Sequence, residues 1–255
     1  MGYTTKVRPD VANATRELAV HMSHPGPEHW KALGRLIGYL KGKQTKGVII
    51  RKPKVLKEVM FCDSNYATDK ETRKSVSGLV ATLGGKLLTC SSKTQRTVTL
   101  SSTEAEYVAL SACAQEVKFV SMLLEEMTEV GKPSVIYEDN QGVIFLAKNR
   151  QVGIRKKHID IRHNFLRDMV EEKDIDIQYI QSEENPADIM TKNTSEADLT
   201  RHMRRITEGE LWELVDTGRE NVKKTGVTDD VNTRDKTEYS SRAFAEVVDG
   251  ENRNE

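Results

Sequence analysis

The fold is decided by residues 59–92, VMFCDSNYATDKETRKSVSGLVATLGGKLLTCSS. Val59–Cys62 is a short apolar run that leads into Asp63. Val76–Leu83 is a second run, Gly84-Gly85 is a hairpin signal, and Lys86–Ser92 returns. Two glycines between two strand-like runs give the left-handed backbone that a tight hairpin turn requires. The expectation is an antiparallel meander of three strands.

Downstream the pattern changes period. A long helix is expected from Ser101-Ser102-Thr103 to about Met127, and Ser101 and Glu104 stand in the S-x-x-E relation of a capping box. Val135–Tyr137 reads as a short buried strand closed by Asp139, and Gln141–Lys148 as a helix. A basic loop, NRQVGIRKK (149–157), precedes a helix from His158 to about Val170 and a strand at Ile175–Ile180. Glu184-Asn185-Pro186-Ala187-Asp188 then opens a last helix. The order, βββαβαβα with an extra helix, is that of a mixed α/β sheet flanked by helices.

Upstream, Gly47–Ile50 is a short β-branched run that reads as a strand. Residues 1–50 are otherwise helical: Val11, Ala14, Leu18, Ala19 and Met22 recur at helical spacing. The breaker cluster Ser23–Pro27 separates them from an amphipathic helix carrying Trp30, Leu33, Leu36, Ile37 and Leu40, which Gly42 terminates. Two helices with so little apolar surface do not make an independent domain. Residues 194–216 read as a helical extension. From about residue 217 the apolar residues are isolated, and the tail 217–255 reads as disordered.

Composition narrows the function classes. The 255 residues hold 39 Lys+Arg and 39 Asp+Glu, with 31% charged and 5% aromatic residues, which reads as soluble and polar. No uninterrupted apolar run reaches the ~18 residues of a membrane span, and the N-terminus lacks the apolar stretch of a signal peptide. An intracellular location, cytoplasmic or particle-associated, with no membrane partner, is the expectation. Cys62, Cys90 and Cys113 are odd in number and lack C-x-x-C spacing, which excludes a disulfide framework and a Cys-rich zinc site. They read as core thiols in a reducing compartment. The zero net charge hides an asymmetry: residues 1–100 carry +11, residues 101–194 carry −6 and residues 195–255 carry −5. A basic part attracts phosphate, and an acidic part has carboxylates to offer a cation.

Four carboxylates fall at the ends of expected elements: Asp63 after the first strand, Glu106 in the first turns of the long helix, Asp139 after the next strand, and Asp188 in the first turn of the last helix. Strand ends and helix starts are where α/β sheets gather ligand sites. Four converging carboxylates without a cation repel: one pair ~4 Å apart costs ~4 kcal/mol at an effective dielectric of 20. Hard oxygen ligands with no nearby His or Cys point to Mg²⁺, with Mn²⁺ as a substitute. Two such ions ~3.5–4 Å apart clamp the attacking and leaving oxygens of a phosphodiester. By pattern alone, four acids at element ends are also compatible with chance.

The stretches CDSNYATDKETRKSVSG (62–78), SSKTQRTVTLSSTEAEYVALSACAQE (91–116), YEDNQGVIFLAKN (137–149), KHIDIRHNFLRD (157–168) and ENPADIMTK (184–192) resemble, in order and spacing, the ribonuclease H domain of copia-type LTR retrotransposon Pol polyproteins. VRPDVANAT (7–15) and PEHWKALGRLIGYLKG (27–42) resemble the segment that connects the polymerase to that domain. The polymerase palm, with its paired Asp motif, is absent from the chain, which reads as a C-terminal piece of such a polyprotein.

The resemblance implies a ribonuclease H-like mixed five-stranded sheet over residues 56–193, behind a helical remnant of the connecting segment at 1–50. It implies two-metal hydrolysis of the RNA strand of an RNA–DNA hybrid, leaving a 3′-hydroxyl and a 5′-phosphate. Asp63, Glu106, Asp139 and Asp188 take the catalytic and metal-holding places, and Glu104 is a capping partner. A polymerase domain of the same polyprotein is a further partner. Asn140 and Gln141 fall where the family contacts RNA 2′-hydroxyls, which distinguish RNA from DNA. Ser101, Ser102 and Thr103 lie at a helix N-terminus, whose donors suit phosphate. Arg73, Lys74, Lys93 and Arg96, with the loop residues Arg155, Lys156 and Lys157, are candidates for backbone contact. His158 sits in a family-like motif and is read as positioning the helix start or touching a phosphate. The mobile His that many cellular ribonucleases H carry before the last Asp has no counterpart in Gln181–Asn185. Two other readings stand beside this one: a catalytically decayed nucleic-acid-binding remnant, and a DDE-type transferase, against which the acid spacing argues.

Overall fold

A computed structural model of the chain describes residues 4–50, 52, 56–127, 132–149 and 157–209. The N-terminal segment comprises α1 (Thr4–Val7), a 3₁₀ turn at Pro9–Val11, α2 (Ala12–Val20) and α3 (Pro27–Gly42). The strands β1 (Glu58–Asn65), β2 (Val76–Leu83) and β3 (Lys86–Thr94) follow, then α4 (Ser102–Glu125), β4 (Ser134–Glu138), α5 (Gln141–Lys148) and α6 (Lys157–Glu171). The chain continues through β5 (Ile175–Tyr179), a 3₁₀ turn at Ser182–Glu184, α7 (Asp188–Thr191) and α8 (Glu196–Glu208).

The strands form one five-stranded sheet in the order β3-β2-β1-β4-β5. β1 to β3 make the expected antiparallel meander, with Gly84 (φ 55°) and Gly85 (φ 75°) in the left-handed turn between β2 and β3. β4 pairs parallel to β1, and β5 parallel to β4. This is the mixed five-stranded sheet that the resemblance implies.

Both faces of the sheet are covered, which is why β1 reads as an unbroken apolar run rather than an alternation. Val59 and Phe61 point to one face, where they meet Ala187, Ile189 and Met190 of the last helical segment and Met203 and Ile206 of α8. Met60 and Cys62 point to the other, against Leu110, Cys113 and Val117 of α4 and Leu166 of α6. All three cysteines are buried free thiols. α4 is long and apolar enough, by length and composition, to cross a bilayer, which the run-length reading did not anticipate. Here half of that window is buried, with its apolar face on β1.

Two elements differ from expectation. Gly47–Ile50 forms no strand: Ile50 is exposed, and Ile49 reaches only the Thr207 carbonyl, at 3.4 Å. The backbone contact of this run is with the end of α8 rather than with a strand, so its β-branched side chains meet no strand partner. The helix opened by Asp188 lasts four residues, and α8 restarts beyond Ser195, whose hydroxyl caps it by accepting the Asp198 amide. The N-terminal segment is joined to the core: Val11 and Ala12 are buried, and Asn13 donates to Asn193 at 2.9 Å. The expected tail, 217–255, lies outside the described residues.

Candidate active site

The strand register brings the C-terminal ends of β1 and β4 and the N-terminal end of β2 to one end of the sheet: Asp63 is opposite Gly78, and Phe61 is beside Tyr137. Asp63 and Asp139 emerge there by chain direction alone. Glu106 arrives from the second turn of α4, whose N-terminus is fixed by Ser101: its hydroxyl accepts the Glu104 amide at 3.1 Å. Glu104 in turn accepts the Leu100 amide at 2.7 Å, one residue before the position a capping box would use. Asp188 reaches the site because α7 lies directly on β2. A Cβ on Gly78 would sit 2.6 Å from Thr191 Cγ2 and 2.8 Å from the Ala187 carbonyl oxygen, so only glycine permits that approach. Asn185, fully buried, donates to the Cys62 carbonyl at 2.8 Å and accepts the Ala187 amide, which ties the loop before α7 to β1.

Asp63, Glu106 and Asp139 each present a carboxylate oxygen within 4.8 Å of the others. Asp188 joins them through a lysine. The Lys192 ammonium lies 3.2 Å from Asp63 Oδ1 and 3.0 Å from Asp188 Oδ1. The Thr191 hydroxyl donates to the other oxygen of Asp63, and the Ser182 hydroxyl donates to Asp139. The charges are crowded and largely buried. Burial, then Asp63, Glu138 and Asp139, push the Glu106 carboxyl well above its ordinary value. Burial and Asp63 carry Asp188 up to about 7. Burial raises Asp63 against the opposing pull of Lys192. Such shifts mark a cluster that binds protons or cations in preference to standing fully ionised. Glu106 Oε2 is buried with no hydrogen-bond partner, an orphaned acceptor facing acidic neighbours. Oxygen-only donors, close spacing and an orphaned carboxylate oxygen suit a hard divalent cation.

No family model matches the chain. It is 36% identical over 188 residues to the retrovirus-related Pol polyprotein from transposon TNT 1-94 of Nicotiana tabacum, a match covering 72% of this chain and 14% of that protein. It is 32% identical over 205 residues to the Pol polyprotein from transposon RE2 of Arabidopsis thaliana, covering 80% and 14%. This chain belongs to the retrovirus-related Pol polyproteins of transposons. It spans only 14% of the length of either relative. Among solved structures, LC11-RNase H1, isolated from compost by a metagenomic approach, is similar over 54% of this chain and 94% of its own, with 16% identity and a TM-score of 0.42.

The other residues singled out in this Pol segment fall in different places. Asn140 and Gln141 directly follow Asp139, but the Asn140 side chain caps α5 by accepting the Val143 amide at 3.2 Å. Ser101, Ser102 and Thr103 sit at the α4 N-terminus, with Ser101 occupied as the cap. Arg73 and Lys74 lie in the β1–β2 loop at the Asp63 end of the sheet. Lys93 and Arg96 line an open groove of about 490 Å³ between β3 and α4, joined by Arg162 of α6, which sequence reasoning passed over. Arg155 and Lys156 lie outside the described residues. Lys157 and His158 begin α6, with side chains outside the description.

Sequence reasoning also missed Lys192, Thr191, Ser182, Asn185 and Glu138. The signal for Lys192 was its spacing four residues after Asp188 in the stretch expected to be helical. Glu138, fully buried beside Asp139, accepts the Cys62 thiol at 3.1 Å, and burial holds its carboxyl well above the ordinary range. Nothing local distinguishes it from the acid that follows it.

Proposed function

We propose that this segment is a metal-dependent ribonuclease H that hydrolyses the RNA strand of RNA–DNA hybrids. The observation that carries the reading is the convergence of Asp63, Glu106 and Asp139 within 4.8 Å, with Asp188 tied to them through Lys192. The two Mg²⁺ ions of this reading, replaceable by Mn²⁺, activate a water and neutralise charge on the phosphodiester when bound.

The chain's own residues do the rest. Asp63, Glu106, Asp139 and Asp188 hold the cations, and the oxygen that Glu106 leaves unpartnered is available to do so. Ser182 and Thr191 fix the rotamers of Asp139 and Asp63 through their hydroxyls. Asn185 holds the loop that sets Asp188. Lys93, Arg96 and Arg162 in the β3–α4 groove attract the sugar–phosphate backbone, and Gln141 faces outward beside Asp139, where a 2′-hydroxyl contact selects RNA. A polymerase domain of the same polyprotein supplies further contacts to the hybrid.

The test is cleavage of an end-labelled RNA–DNA hybrid with and without Mg²⁺. The expected result is RNA fragments with 3′-hydroxyl ends, suppressed by EDTA and absent on duplex DNA. Binding of the hybrid without Mg²⁺-dependent cleavage would instead identify a decayed binding remnant, and strand joining on DNA ends would identify a transferase.

A further inference from the structure

We propose that the Lys192 ammonium is an exchangeable counter-ion of the carboxylate cluster, displaced when a divalent cation enters and taken up by a nucleic-acid phosphate. The inference rests on the ribonuclease H reading above and deepens it: metal binding and nucleic-acid binding are coupled through one side chain.

The argument starts at Asp63. Its side chain is buried, and both its oxygens are engaged, one by the Thr191 hydroxyl and the other by Lys192 at 3.2 Å. The same ammonium lies 3.0 Å from Asp188 Oδ1. A hard divalent ion binds carboxylate oxygens at about 2.0–2.6 Å, closer than any ammonium contact. An ion bound to Asp63 Oδ1 therefore stands within a few ångströms of the ammonium, and like charges at that separation in a largely buried site repel. The two cations compete for one oxygen.

The ammonium has somewhere to go. Lys192 follows the short α7 in extended backbone, and its side chain keeps 30% of its surface exposed, unlike Asp63 at 1%. A lysine is a compact charge on a flexible stem, able to swing where a planar guanidinium in a bidentate pair is not. The exposed sides of Lys192 and Asp188 leave the cluster open to a phosphodiester from solvent. With phosphate present the ammonium exchanges one anion for another. Without it, the ammonium gives up two carboxylates for water. Divalent binding is therefore weak in the free protein and stronger with nucleic acid, and linkage makes the effect reciprocal.

The experiment measures Mn²⁺ affinity by calorimetry on the whole chain, alone and with a hybrid whose RNA strand carries 2′-O-methyl riboses to block cleavage. Wild type should gain at least tenfold in Mn²⁺ affinity on adding the hybrid. Lys192→Met should already bind Mn²⁺ at least tenfold more tightly than wild type alone and gain less from the hybrid. Equal or weaker Mn²⁺ binding by a folded Lys192→Met protein overturns the exchange and leaves the ribonuclease reading intact. No Mn²⁺ binding by either protein overturns both. Wild type alone provides a second measurement independent of whether that variant folds: Mg²⁺ should raise acetylation of Lys192 by an amine-reactive ester several-fold, read by peptide mass spectrometry, with Lys148 unchanged. Labelling of Lys192 that stays level or falls contradicts the proposal.

Discussion

β1 buries a carboxylate at each end, and the two are handled in opposite ways. At its start, Glu58 is fully buried against α4 and accepts two neutral donors, Ser134 at 2.8 Å and Ser121 at 3.1 Å, while its other oxygen has no partner. Burial, opposed by those hydroxyls, lifts its pKa to about 7. Near its other end, Asp63 meets two further carboxylates within 4.8 Å and a lysine. A lone buried acid is accommodated by hydroxyls and a proton. A cluster calls for cations as well, which Lys192 supplies here and a divalent ion would supply under the proposed function.

The largest expected effect lies at the Asp63 end. Asp139→Asn removes a ligand from the cluster, and a cation clamp supplies several kcal/mol to the transition state. Cleavage of a labelled hybrid should fall about a thousandfold, with hybrid affinity, measured without divalent cations, within a few-fold of wild type. Parent-like cleavage would mean that the cluster is not the site.

Glu58→Gln sharpens the other half of the comparison. The folded protein holds the Glu58 proton up to about pH 7, whereas the unfolded chain releases it near the ordinary value of 4.5. The fold therefore loses stability as pH rises between those values, by at most about 3 kcal/mol. Denaturant titrations should show the Gln variant more stable than wild type at pH 8, similar below pH 4.5, and unchanged in specific cleavage. A flat difference across pH would remove Glu58 as the cause.

Gly78→Ala tests whether the Asp63 end depends on the close contact of α7 with β2. The added methyl meets Thr191, Ala187 and Met190 atoms at 2.6–2.9 Å. Overpacking of this kind costs about 1–3 kcal/mol, and displacement of α7 should lower cleavage more than it lowers stability. Ser101→Ala is the mildest change: loss of the cap on α4 should cost about 1 kcal/mol in thermal or denaturant unfolding. Because α4 carries Glu106, a small fall in cleavage should accompany it.

Much of this was legible in the sequence for identifiable reasons. Gly84-Gly85 between two strand-like runs marked the β2–β3 hairpin, and Ser101 with Glu104 marked the start of α4. Asp63, Asp139 and Asp188 could be singled out because each follows an apolar strand or opens a helix. What stayed hidden depends on contacts between residues distant in the chain. Glu58 reads as a surface acid in KEVMFC until the strand is sandwiched by α4, and Lys192 reads as one more lysine until Asp63, 129 residues away, is beside it. Gly78 shows no special pattern, because its reason is the helix laid against it. The strand expected at Gly47–Ile50 failed for a related cause: β-propensity names a residue preference, and a strand also needs a partner edge.

The central claim is that Asp63, Glu106, Asp139 and Asp188 hold divalent cations. Anomalous diffraction from Mn²⁺-soaked crystals of the chain with a cleavage-resistant hybrid tests it most directly. The account predicts two manganese peaks about 3.5–4 Å apart among those four carboxylates, with Lys192 turned away from Asp63. Manganese found only at surface acids, with Lys192 still seated between Asp63 and Asp188, would contradict it.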